Sequence, residues 1–478
     1  MSRINTNVGA LIAQTRLQRS QNQLQTTLQR LSSGLRINRG ADDPAGLIAS
    51  ETLRSEIAGL GQAIANSERA SNVIATAEGA LNEAAALLVN IQELVVEAAN
   101  EGALSEDEIA ANQLQVDSAI ESITRIANTT SFAGLHLLNG SLSYVTSGVD
   151  DTVVQDLHLH SVQFGTNQYI PVNVQVVTSA QQAQLQFQSS RITEDVTLQV
   201  QGTQGVTELS FGSGTAASAI AFAINTVADA TGVEASFLNS ANPSSGIAFQ
   251  SVEFGSKAFV SIKALQTGTS FSLVNAAGQG VSRDEGQDIR ATVNGIFTQG
   301  DGLRLSLQSV GLDMEVLMAE DFGVGTTSFA VTGGGAKFQL GPAVNSNQQV
   351  NIGVRSVASS FLGNSQIGYL SQIRTGGEYS LISGHAREAS DIIQEGVRQV
   401  AVLRGRLGAF EKNTLQTNVN SLQITLENVT ASESQIRDAD FAQETSQLTR
   451  AQILTQAGTA VLAIANTTPQ SVLALLGA

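Results

Sequence analysis

The sequence predicts an α+β fold: N- and C-terminal helices pair into a coiled-coil, helical-bundle core, and a β-rich outer region is inserted between them. Three observations lead there. Near both ends, apolar residues recur at alternating three- and four-residue steps, the period of a helix seam. From about residue 141 to 375 Gly, Ser, Thr, Gln and Val dominate, and period-two alternation replaces the helical period. Aromatic residues make up only 4% of the 478, with no Trp, which suits thin aliphatic helix layers better than a large enzyme pocket.

The first helix carries the seam Leu17, Leu24, Leu28, Leu31, Leu35. Six arginines and no acid precede Asp42, so this arm is basic within a chain of net charge −17. The stretch LSSGLRINRGADDPAGLIASE then reads as a joint. Gly34 and Gly40 let the chain turn, and Asp42, Asp43 and Pro44 start the next helix, with Asp43 as N-cap and Pro44 at the first helical position. Its glycines do not form G-x-x-x-x-G-K-[ST] and follow no strand, so a phosphate cradle is not expected.

The second seam reads Leu53, Ile57, Leu60, Ile64, Ile74, Leu81, Ala85, Leu88 and fades at Asn100 and Gly102. Ser105 with Glu108 makes a capping box for a third helix running to about Asn128. In the middle, EDVTLQVQG and TELSFGSG read as strands and AASAIAFAINTVADATG as one amphipathic helix. GQDIRATVNGIFTQGDGLRLSLQSVGLDMEVLMA reads as hairpins turning at Asn294-Gly295 and Asp301-Gly302. Two β-rich modules are expected.

Helix resumes near Gly384 with the seam Ala389, Ile393, Gly396, Val400, Leu403, Leu407, Phe410. The seam then slips by one residue and resumes at Leu415, Val419, Leu422, Leu426, Val429, Ile436. The last helix begins near Asp440, and Thr468-Pro469 is expected to stop it and cap a short final helix, SVLALL. The expected domains are inner terminal helices (1–40 with 440–478), a helical rod (41–140 with 376–439) and the β-rich outer region (141–375).

Between Ala457 and Ala465 the last helix is apolar on every side, so it must be surrounded, and other copies of the chain are the simplest cover. The expected assembly core is Leu17, Leu24, Leu28, Leu31 and Leu35 with Leu448, Leu454, Val461, Leu462, Ile464, Leu473, Leu475 and Leu476. Arg16, Arg19, Arg30, Arg36 and Arg39 have natural partners in Asp438, Asp440 and Glu444. Such exposed pairs are worth about 0–1 kcal/mol each, so they set register while apolar burial supplies the energy.

The acidic balance argues against a nucleic-acid partner. With no Cys, no H-E-x-x-H and four isolated or paired histidines, no catalytic residue, metal or cofactor is expected; His158 and His160 read as exposed strand residues. The carboxylate pairs Asp42-Asp43 and Asp438/Asp440 fit helix starts better than acid–base chemistry. No secretory signal is recognised at the N-terminus. The uncharged tail Ala451–Ala478 holds Gln452, Gln456, Asn466, Gln470 and Pro469, which argue against membrane insertion.

The residues INTNVGALIAQ, LSSGLRINRGADDPAGLIASE, IQELVVEAANEG and TSFAGLHLLNG resemble the N-terminal part of bacterial flagellin. LGAFEKNTLQTNVNSLQITLENVTASESQIRDADFAQET and NTTPQSVLALLG resemble its C-terminal part, and GQDIRATVNG…GDGLRLSL is similar to a β-repeat of flagellins and hook-associated proteins. The resemblance implies a homopolymeric flagellar filament outside the cell and export of the unfolded chain through the flagellar type III channel. It further implies hook-associated junction and cap proteins as partners and an export chaperone covering the tail from Ala457 to Leu476. A hook–filament junction protein is the alternative. Members that stimulate the animal innate immune receptor carry Q-R-V-R-E-L-A-V-Q on the rod helix. Here the stretch is Val89, Asn90, Ile91, Gln92, Glu93, Leu94, Val95, Val96, Glu97; both arginines are missing, and weak or absent receptor activation is expected.

Overall fold

The computed structural model describes residues 6–476 apart from 101, 240, 241, 243, 244, 267–270 and 310, with side chains as far as Thr468. Its helices in chain order are α1 (Val8–Ser33), α2 (Pro44–Ala98), α3 (Glu106–Thr129), α4 (Ala217–Thr226), α5 (Ala228–Thr231), α6 (Ala386–Phe410), α7 (Thr417–Arg437) and α8 (Phe441–Leu476). The chain divides into two units: residues 1–69, 339–344 and 412–478 form one, and 70–338 with 345–411 the other.

In the first unit α1 and α8 run antiparallel. Their register is set by Asn7 against Ala465, Leu17 against Gly458 and Arg30 against Glu444. Beyond them the chain makes a bridge between Leu35 and Asp438, with Arg36 N–H on the Arg437 carbonyl at 2.7 Å and Ala439 N–H on that of Gly34 at 2.9 Å. The early part of α2 runs antiparallel to α7. Arg437 pairs with Glu51 at 2.7 Å, Asn418 donates to Ser67 at 3.2 Å, and Leu60 and Ala63 pack with Leu422, Ile64, Leu426 and Val429.

Helix α8 does not stop at Thr468-Pro469 but continues to Leu476, contrary to the sequence expectation. A proline inside a helix deprives the carbonyl four residues earlier of its N–H donor. Here that carbonyl belongs to Ala465, and the Asn7 side-chain amide donates to it at 2.7 Å.

The seam slip between Phe410 and Leu415 becomes a π-helical turn at Glu411–Gln416. A π turn holds one extra residue, so it returns Leu415, 1% exposed, to the buried side without breaking the helix.

In the second unit the later part of α2 packs with α3 and α6. Leu88, Ile91, Ile120, Ile123, Val400 and Leu407 are fully buried, and a Cβ on Gly396 of α6 would lie 3.7 Å from Leu88. Ser105 and Glu108 form the capping box that starts α3. Buried Gln113 donates to the Ile373 carbonyl at 2.9 Å and accepts the Leu381 N–H at 2.8 Å, tying the returning chain to α3.

The β-rich part has two cores. One lies between a five-stranded sheet, ordered 296–297, 290–293, 170–178, 325–334, 144–147, and a four-stranded sheet, ordered 299–301, 304–308, 312–318, 154–162. The Asn294-Gly295 turn has φ of 50° and 81°, the left-handed pair a two-residue hairpin needs. At the other turn Asp301 stays in the ladder opposite Arg304, and Gly302 with Leu303 makes the corner. The second core lies between two further four-stranded antiparallel sheets, with Ile220 and Ile224 of α4 packed into it. The expected single helix in this stretch is α4 followed by the one-turn α5.

His158 and His160 are not exposed as the sequence suggested. His158 is 7% exposed, and both rings stack, 6.2 Å apart, within a network of partly buried charges. Asp156 accepts from His158 at 2.6 Å, Arg355 contacts His158, and Arg304 pairs with Glu315 at 2.6 Å. Two residues apart on a strand share a face, and here that face turns inward. Burial first, then Arg406, pulls the His160 imidazole down to about 3. Among the described residues no group of three or more His, Asp or Glu is placed to hold a metal.

Candidate assembly surface

The joint between α1 and α2 is built by local hydrogen bonds. Gly34 adopts φ 74° and its N–H closes α1 on the Arg30 carbonyl at 2.9 Å. Asp42 accepts from the N–H groups of Asn38 and Arg39 at 3.1 and 2.9 Å. Asp43 accepts the Gly46 N–H at 2.9 Å, and Pro44 opens α2. Gly40 has room for a side chain, since a Cβ there would meet only Leu47 at 3.6 Å. Gly46 does not: its Cβ would lie 2.5 Å from Asp43 Oδ2 and 2.7 Å from buried Ile37. Sequence reasoning singled out Gly40 and passed over Gly46, whose constraint is spatial: the folded-over Asp43 side chain and Ile37 leave no room for a Cβ there.

The α1–α8 pair is narrow. A Cβ on Gly458 would lie 3.2 Å from Leu17 Cδ1 and 3.7 Å from Leu17 Cα, so the backbones approach closely there. The seam residues Leu17, Leu24, Leu31 and Leu35 are half-buried, as are Leu448 and Leu462. Leu28, Leu454, Val461 and Ile464 are exposed, the last at 67%. Leu473, Leu475 and Leu476 lie outside the described side chains. Among the described residues, only Ala13 and Thr27 of α1 and Glu444 and Ala451 of α8 are buried. Two helices in contact cannot close a core, so this pair leaves apolar residues facing outward on both partners.

Of the predicted arginine–carboxylate pairs, the structure brings together Arg30 and Glu444, at 3.1 Å. Glu444 is 5% exposed, so this carboxylate is held at the helix contact rather than in solvent. The other groups do local work. Arg36 donates to the Ile436 carbonyl at 2.6 Å. Asp438 accepts from Ser434 at 2.6 Å, and Asp440 caps α8 by accepting from the Ala442 and Gln443 N–H groups at 2.9 and 3.1 Å. Arg16, Arg19 and Arg39 are exposed and make no ion pair among the described residues.

On the rod stretch of α2, Val89, Asn90, Glu93 and Glu97 are exposed and Leu94 is half-buried. Gln92 donates to Ser390 of α6 at 2.9 Å.

Comparison with known proteins places this surface in context. The bacterial flagellin N-terminal helical region matches residues 4–143, and the bacterial flagellin C-terminal helical region matches 390–476. The flagellin hook IN motif matches residues 195–252, rather than the GQDIRATVNG…GDGLRLSL stretch that suggested such a repeat. Flagellin A of Helicobacter pylori is 28% identical, covering 99% of both chains; Flagellin D of Vibrio anguillarum is 29% identical over the same shares. The flagellar junction protein FlgL from Legionella pneumophila is 13% identical at a TM-score of 0.29, covering 81% of this chain and 99% of its own.

Proposed function

The chain belongs to the bacterial flagellin family, and we propose that it works as the self-assembling structural subunit of the flagellar filament, polymerising through its terminal helices. The observation that carries this reading is the exposed apolar surface of the α1–α8 pair, where Leu11, Ile12, Ile453, Val461 and Ile464 each stay more than half exposed. Uncovered, such a surface opposes solubility; covered by copies of itself in a closed or helical array, it becomes the source of assembly energy. Full-length similarity to proteins named flagellin favours the filament subunit over the hook–filament junction alternative.

The finer points are proposals on the same footing. The filament stands outside the cell, the chain leaves unfolded through the flagellar export channel, and a chaperone covers the apolar tail beforehand. Hook-associated junction and cap proteins bound the polymer at its ends. The inner helices, rod and outer region divide as residues 1–40 with 440–478, 41–140 with 376–439, and 141–375.

Leu462→Asp tests the reading. It sets a charge among apolar side chains that assembly would dry, at a cost of several kcal/mol. A soluble monomer with a folded second unit and no filaments is expected; normal filaments would overturn the proposal.

A further inference from the structure

The strand 154–162 is the end strand of its four-stranded sheet, and its pairing with 312–318 is irregular at two points. At one of them the partners step from Leu317–Asp156 directly to Met318–Val154, which leaves Gln155 as the extra residue of a β-bulge. A bulge takes its side chain off the regular alternation of the strand. Gln155 lines a cleft of about 470 Å³, whose walls come from residues 139–159 and 355–361 of the second unit. Its Oε1 is shut off from solvent and meets no donor among the described residues. Buried acceptors are almost always paired, so one left open in a cleft wall calls for a donor supplied from outside the chain.

The charged groups of the lining carry both signs. Arg355 contacts His158 through Nη1, but its Nη2 stays 3.7 Å from Asp156, beyond hydrogen-bond reach, so the five-donor guanidinium keeps N–H groups to spare. Asp151 is exposed and makes no hydrogen bond or ion pair through its side chain among the described residues. Phe361, also in the lining, is 51% exposed. Two carboxylates against one guanidinium leave no positive excess to hold an anion. Arg355 opposes an organic cation, and Asp156 is already bonded to His158 at 2.6 Å. The lining therefore suits a neutral molecule whose hydroxyls both donate and accept and whose C–H face can lie on an aromatic ring. The volume is within the range of small-molecule sites.

We propose that this cleft is a binding site for a neutral saccharide. Asp151 and Gln155 Oε1 accept from the sugar hydroxyls, Arg355 donates to a hydroxyl oxygen, and Phe361 supports the apolar face of the ring. The site lies within one unit of a single chain and does not depend on the filament reading.

The test uses the purified full-length chain as monomer, so that its outcome stands apart from assembly. Saturation-transfer NMR with galactose, mannose, N-acetylglucosamine and their disaccharides as probes finds the ligand, and calorimetric titration measures its affinity. Glucuronate and glucosamine serve as the anionic and cationic counterparts. At least one neutral sugar should bind, and more tightly than either charged probe. Asp151→Ala and Phe361→Ala alter exposed side chains, and Gln155→Met keeps size while removing the acceptor; each should weaken binding by about tenfold. Phe297→Ala, which removes an 81% exposed aromatic elsewhere in the same unit, should bind like wild type. Thermal melting confirms that each variant is folded before it is titrated. The inference is overturned if no neutral sugar binds, or if the cleft variants bind like wild type. Preference for glucuronate or glucosamine would overturn the neutral class, and an equal loss in Phe297→Ala would place the binding elsewhere.

Discussion

The Asn7 side-chain amide bridges the two ends of the chain. Its Oδ1 accepts the Ala10 N–H at 3.0 Å to cap α1, and its Nδ2 donates at 2.7 Å to Ala465, whose carbonyl Pro469 cannot serve within α8. One side chain thus satisfies two groups that helix geometry leaves without partners.

Asn7→Asp keeps the acceptor and loses the donor, and should weaken the terminal pair by about 1 kcal/mol; Asn7→Ala loses both and should cost about 2 kcal/mol. In a Pro469→Ala background α8 gains an N–H for Ala465, so the cost of Asn7→Asp should fall by more than half. Hydrogen exchange of α1 and α8 amides reads this cycle. Equal costs in both backgrounds would mean the two residues do not share that carbonyl.

Gly458 sets the spacing between α1 and α8. Gly458→Ala brings a Cβ to 3.2 Å from the end of the Leu17 side chain, which can swing aside, and the gain in helix propensity offsets the crowding. Gly458→Val adds branches toward the Leu17 backbone and should cost about 1–3 kcal/mol. Urea titration followed by helix content, with assembly read in parallel, should show Ala tolerated and Val impaired. A tolerated valine would refute the close approach.

Acid should destabilise the second unit through His160. Its folded imidazole is held down to about 3, by burial and then by Arg406, against an unfolded value of 6.5. Between those values the unfolded chain binds a proton that the folded chain refuses, so stability is intact above pH 6.5 and is lost as pH falls toward 3. At pH 5 the loss is about 2 kcal/mol. His160→Gln should flatten this part of the stability–pH curve measured by thermal melting; an unchanged slope would contradict the assignment.

The rod stretch predicts a weak innate immune response. Asn90 and Gln92 stand where stimulating flagellins carry arginine, and Gln92 is engaged with Ser390. A cell reporter assay should show little activation by purified monomer, and Asn90→Arg with Gln92→Arg should raise it. Strong activation by the wild-type chain would refute the prediction.

Much of this architecture was legible because it is periodic. The heptad steps located the terminal helices, and even the π turn at Glu411–Gln416 announced itself as a five-residue step between Phe410 and Leu415. What escaped depended on contacts distant in sequence. Pro469 read as a stop because Asn7, 462 residues away, could not be seen to serve Ala465. Asp156-x-His158-x-His160 read as an exposed strand face because Arg355 and Arg398, its neighbours in the charge network, come from other elements. Gly46 was missed because its constraint is the side chain of Asp43 folded over the helix start. The assembly surface was legible as an excess of apolar residues, but the choice between Arg30 and the other arginines as the partner of Glu444 needed the register of α1 on α8.

The central claim is that copies of this chain cover one another's terminal helices. Electron microscopy of purified chain added to sheared filament seeds tests it most directly. Long tubular filaments that lengthen with added protein are predicted. A chain that stays monomeric at high concentration, or that stops after forming a short cap on the seeds, would contradict it.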